Sequence, residues 1–136
     1  MKKSFAVRQL ALNAVLAAVC TVLAGLSLKI GGNLKISFES LPVHIGALLF
    51  GPVDGMLIGG IGTFIYQVLL SGYGISATTV LWILPYVSCG LMDGLCAARM
   101  GRGRGGVFFT LLLSELCITL LNTFALYVDS KIYAYY

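Results

Sequence analysis

Apolar residues run along this chain in long stretches, and short polar or glycine-rich breaks between them set the predicted architecture. A first apolar run, Gln9 to Leu28, has the length of a membrane span. The polar connector KIGGNLKISFES, Lys29 to Ser40, follows it with Gly31-Gly32-Asn33 as its turn. Within the connector, Leu34 to Phe38 alternates apolar and polar, a period that suits extended chain. Two further runs meet at Gly51-Pro52-Val53-Asp54-Gly55. Pro52 fixes its own φ and steers Gly51 away from the helical region, so the earlier run stops there. The turn Ser71-Gly72-Tyr73-Gly74 ends the third run, and a fourth carries Pro85 inside it. The basic loop RMGRGRGG, Arg99 to Gly106, then leads to a fifth run and a polar, tyrosine-rich end.

This pattern predicts an all-α, polytopic membrane helical bundle. Residues 1–136 form a single transmembrane domain with spans at about 9–28, 36–50, 55–70, 77–98 and 107–128. The second span is the ambiguous one. Counted from Leu41 it would rise only roughly 15 Å, too little to cross a bilayer alone. Either its helix begins near Ile36 and kinks at Pro42, or an extended stretch leads into a half-depth helix.

Composition agrees with the pattern. The chain is 59% hydrophobic and 10% charged, where soluble domains carry about 25% charged residues. Its 136 residues leave no room for a nucleotide-binding domain, and no Gly-rich phosphate loop ending in Lys is present. Any ATP-driven step therefore needs another chain. Cys20, Cys89, Cys96 and Cys117 lie inside apolar runs without CxxC or cysteine–histidine spacing, which predicts small buried hydrophobes and no metal site. The net charge of +4 does not imply nucleic-acid binding, because the basic residues flank spans instead of forming a continuous surface. Lys2, Lys3, Arg8, Arg99, Arg102 and Arg104 fall at one end of the predicted bundle, and Lys29, Lys35 and Lys131 at the other. The positive-inside rule then places the N-terminus in the cytoplasm.

Small residues mark the contact faces. Gly55 and Gly59 are four apart in the third span, as are Gly90 and Gly94 in the fourth, so neighbouring helices can approach closely. Ala14 and Ala18 form a similar stripe on the first span, suited either to packing within the chain or to docking a partner. Asp54 is placed to cap the third helix. Asp93 is expected to pair with Arg99 or the basic loop, and His44 to be hydrogen-bonded in packing. Glu115, near the middle of the fifth span, must be protonated or partnered, since a lone charge there costs about 2.5–3.5 kcal/mol. Trp82 and Tyr86 share a helix face, with the geometry of core packing and of stacking on a flat heterocycle alike. Asn122 and Thr123 supply the hydrogen-bonding groups that a polar-ligand pocket needs.

Taken together, KISFESLPVHIGALLFGPVDGMLIGGIG, TTVLWILPYVSCGLMDG and LLNTFALY resemble the substrate-binding S component of energy-coupling factor (ECF) vitamin transporters, of the folate and pantothenate type. The resemblance implies a six-helix bundle in a bacterial plasma membrane that captures a vitamin near its outer face. It also implies docking on a transmembrane coupling protein driven by two ATPase subunits, with no cofactor and no catalysis. On that reading Ala14 and Ala18 form the docking face, and the loop Lys35 to Ser40, with Lys35 and Glu39, closes over the ligand. Trp82, Pro85, Tyr86, Asn122 and Thr123 then lie at or near the pocket. Five spans are visible where the family has six, so the chain is expected either to be truncated before a C-terminal sixth span or to be a degenerate member that does not bind alone. Two rivals from other classes remain: an intramembrane enzyme using His44 with Glu115 or Asp93, and a structural subunit without a ligand.

Overall fold

The structure, a computed structural model, describes residues 2–30, 34–72, 74–101 and 103–134; the side chains of residues 2–5, 28–30 and 34–36 lie outside this description. The predicted turn at Gly31-Gly32-Asn33, Tyr73, Arg102, Tyr135 and Tyr136 fall outside it as well. Among the described residues, five α-helices follow one another: α1 (Lys2–Gly25), α2 (Ser40–Phe50), α3 (Pro52–Ile65), α4 (Thr79–Met100) and α5 (Arg104–Tyr133). Between α1 and α2, β1 (Leu28–Ile30) pairs antiparallel with β2 (Leu34–Ile36), Lys29 opposite Lys35. This hairpin resolves the ambiguity of the second span. Ile36 closes a strand, and the helix starts only at Ser40, so the span predicted over 36–50 is an extended approach followed by a short helix. At 11 residues, α2 rises roughly 16 Å, about half of a bilayer core. The other four helices carry apolar stretches long enough to cross, including α3 with the π-helical turn Tyr66–Leu70 that extends it. Their outward faces are leucine, valine, isoleucine and phenylalanine, as a lipid-facing surface requires. The chain is a multi-pass membrane bundle.

One residue joins α2 to α3. Gly51 has φ of +117°, a conformation that L side chains rarely adopt, and Pro52 opens α3 at its first position, where its missing N–H costs nothing. The predicted five-residue turn is thus shorter than expected, with Asp54 already inside the first turn of α3. Asp54 does not cap the helix. Its carboxylate instead accepts hydrogen bonds from the side-chain amides of Gln9, at 2.8 Å, and Asn13, which tie α1 to α3. Its charge still sits at the favourable end of the helix dipole.

The centre of the bundle is α3 against α4, with α1 and α2 on α3 and α5 on α4. Glycine makes the α3–α4 crossing possible. A Cβ on Gly90 would lie 2.2 Å from the carbonyl carbon of Gly55, so the two backbones are in direct contact. Cys20, Val43, Ile58, Cys89 and Ile118 form the apolar core around this crossing.

Candidate functional site

Two hollows open at opposite ends of the bundle. The larger, of about 330 Å³, is lined by Ala47, Gly51, Pro52, Gly94, Ala97, Ala98 and Gly101. It offers no side-chain hydrogen-bonding group and cannot orient a polar ligand. The smaller, of about 50 Å³, lies at the hairpin end and is lined by Glu39, Thr63, Tyr66, Gln67, Trp82, Tyr86 and Asn122. A carboxylate, two amides, three hydroxyls and an indole converge there, so the chemistry favours the smaller hollow despite its volume.

Local structure places each of these groups. Glu39 sits where the chain leaves the hairpin and enters α2, 2% exposed. Its Oε1 accepts hydrogen bonds from the Tyr86 hydroxyl and from Ser37 Oγ at 3.2 Å. Cys20 Sγ reaches the Glu39 carbonyl at 3.2 Å and so fixes the segment to α1. From α4, Trp82 and Tyr86 point one turn apart into the same space. Thr63, Tyr66 and Gln67 come from the end of α3, where the helix widens into its π-helical turn, a feature often found at functional sites. Asn122 closes the far side from α5. Two polar atoms at this cleft are buried without a hydrogen-bond partner: Thr63 Oγ1, on a residue 2% exposed, and Asn122 Oδ1. Buried polar atoms are rarely left so, and both line the cleft.

Of the six residues expected to bind substrate, Glu39, Trp82, Tyr86 and Asn122 are gathered around this cleft. Thr123 is not; it is exposed, and its hydroxyl donates back to the Thr119 carbonyl at 2.8 Å. The one-residue step from Asn122 turns it about 100° around the helix. Lys35 belongs to β2, but its side chain is outside the described residues. Thr63, Tyr66 and Gln67 were not expected. Their spacing of three and four puts polar groups on one face of an apolar run, and that was the available signal. Ala14 and Ala18 are exposed, while Asn13, Ala17, Cys20, Thr21 and Ala24 form the buried face of α1. Among the described residues, the alanine stripe is therefore left uncovered. Exchanging Asn122 for Leu should weaken ligand binding about tenfold or more through its lost hydrogen bonds, whereas Thr123→Val should leave it unchanged; calorimetry on both variants checks this.

A second polar cluster lies deeper. His44 Nδ1 is 2.5 Å from Asp93 Oδ2, and His44 Nε2 is 2.8 Å from Glu115 Oε1, which also accepts from Ser40 Oγ at 2.7 Å. Glu115 is thus partnered, as its position demands. Asp93 does not pair with Arg99: it lies on the buried stripe of α4 with Cys89, Gly90 and Ala97, whereas Arg99 is exposed. The expectation of cysteines without a histidine neighbour also fails. Cys89 Sγ lies 3.7 Å from His44 Nδ1, a contact across 45 residues of sequence that linear spacing cannot reveal. Neither of these two hollows is lined by His44, Asp93 or Glu115.

Comparison with known proteins follows the same direction. No curated protein sequence matches this one. A solved structure of the S component of a bacterial ECF transporter is similar, with a TM-score of 0.67 and 19% identity over 93% of this chain and 76% of that one. The family profile described as "ECF transporter, substrate-specific component" matches residues 8–136. Together with the fold, that match over nearly the whole length makes this chain a member of the family of substrate-specific components of ECF transporters.

Proposed function

We propose that this chain captures a small, flat, nitrogen-rich vitamin at the hairpin-end cleft and delivers it to an ATP-driven module. Folate is the first choice. The observation that carries the reading is the buried Glu39 carboxylate facing Trp82 and two unpartnered polar atoms in one cleft. A carboxylate in such surroundings favours a ligand that brings hydrogen-bond donors, such as the amino and ring N–H groups of a pterin. Trp82 supplies the flat face for stacking. Small-molecule pockets run about 300–1,000 Å³, far above the 50 Å³ present, so capture requires the walls to part. The hairpin segment that carries Glu39 is the wall best suited to move, since α2 is short and Gly51 joins it directly to α3.

The charge distribution supports a cytoplasmic N-terminus in a bacterial plasma membrane, which turns the cleft outward. A transmembrane coupling protein and two ATPase subunits complete the transporter, and the exposed Ala14–Ala18 face of α1 is the proposed docking stripe. Uptake of labelled folate by cells tests this. Cells producing the chain together with a coupling module should accumulate the label in an ATP-dependent way, and cells lacking either part should not. Accumulation that needs no module would refute the transport reading.

A further inference from the structure

The cluster of His44, Cys89 and Asp93 is built from three kinds of metal-ligating atom, and the proposed transport reading does not use it. We propose that these residues bind a divalent transition-metal ion of the zinc type, which fastens α2 to α4 in the middle of the bundle. His44 Nδ1, Cys89 Sγ and Asp93 Oδ2 lie within 4.8 Å of one another, and all three residues are buried. With zinc–sulfur and zinc–nitrogen bonds of about 2.3 and 2.0 Å, a tetrahedral site has sulfur-to-ligand edges of about 3.5 Å. The two sulfur edges here are 3.7 Å to His44 and 3.6 Å to Asp93. The remaining edge, His44 to Asp93, is 2.5 Å. It is the length of a hydrogen bond and must open by about 0.8 Å to admit the ion.

Two further observations point the same way. His44 Nε2 is held by Glu115 at 2.8 Å, the carboxylate backing that ligating histidines commonly have, and it leaves Nδ1 directed at the site. Asp93 Oδ1 is buried without a hydrogen-bond partner, on a residue 0% exposed. It belongs to the same carboxylate, and an ion bound there would compensate it. Mixed nitrogen, sulfur and carboxylate donors select zinc-type ions over magnesium or calcium. The charges balance: the ion replaces the Nδ1 proton and the Cys89 thiol proton, both released to solvent, so the net charge of the buried cluster is unchanged.

Cobalt(II) titration of the full chain, purified in detergent and stripped with a chelator, tests this. One equivalent should produce a thiolate-to-cobalt charge-transfer band with intense tetrahedral d–d bands, and zinc should bleach both. The band should survive in the variant Cys20→Ser, Cys96→Ser, Cys117→Ser, where Cys89 is the remaining thiol, and vanish in Cys89→Ser. Glu115→Gln should weaken binding by about 10–100-fold. Absence of the band in the unaltered chain, its loss from the triple variant, or its persistence in Cys89→Ser would each overturn the site. Should Cys89→Ser not fold, the triple variant decides alone. Folate binding is read separately, so failure here leaves the transport reading standing.

Discussion

Replacing Gly90 with Leu should leave no folded, ligand-binding protein. Even a bare Cβ at that position would sit 2.2 Å from the Gly55 carbonyl carbon and 2.6 Å from the Met56 nitrogen. Carbon atoms pack best at about 3.5–4.0 Å, so α3 and α4 would have to separate by more than an ångström. The atoms met are backbone, which cannot swing aside as a side chain would. Overpacking in an ordinary core costs about 1–3 kcal/mol, and a Leu wedged between two backbones should exceed that. Gly90→Ala is the informative milder change. It should lower the thermal midpoint and also weaken ligand binding, because Thr63 on α3 and Trp82 and Tyr86 on α4 face each other across the cleft. Gly105 supplies the control: a Cβ there meets nothing within 4 Å, so Gly105→Ala should be neutral or stabilising by up to about 1 kcal/mol through helix propensity. Size-exclusion profiles and thermal melts of the three variants check this; a well-folded Gly90→Leu would contradict the packing described.

The second large effect concerns Glu39. The exchange Glu39→Gln preserves its shape but removes the charge that Tyr86 and the proposed ligand both address. Hydrogen bonds to a charged group are worth about 1.5–3 kcal/mol, so affinity for a pterin-type ligand should fall roughly ten- to a hundredfold. Trp82→Ala should cost a further loss through stacking, about tenfold. The two changes act on one ligand in one cleft, so their effects should not add independently. Titration calorimetry in detergent measures both. A Glu39→Gln variant that binds as well as the parent would remove the carboxylate from the recognition scheme.

Much of this arrangement was legible because local chemistry dictates it. Gly51-Pro52 breaks the chain in every context, and glycines four apart foretell a close helix crossing, here Gly55 and Gly59 against α4. The aromatic pair on α4 and the polar Asn122 in an apolar run likewise marked the cleft before any fold was known. Contacts between distant segments were not legible. Asp93 reads as a partner for nearby Arg99, yet helix phase turns it inward to His44, 49 residues away in sequence. Asp54 reads as a cap, yet Gln9 and Asn13 reach it from α1. In both cases a carboxylate took a partner that tertiary packing offered instead of the one that sequence proximity suggested. The hairpin was visible as alternation, but the depth of α2 was not, because its length depends on where the strand releases the chain.

Native mass spectrometry of the full chain, released from detergent after exposure to folate, bears most directly on capture at the hairpin-end cleft. The account predicts one ligand per chain, retained by the parent and by Thr123→Val and lost from Glu39→Gln combined with Trp82→Ala. A parent chain that retains no ligand, or a double variant that retains as much as the parent, would contradict it.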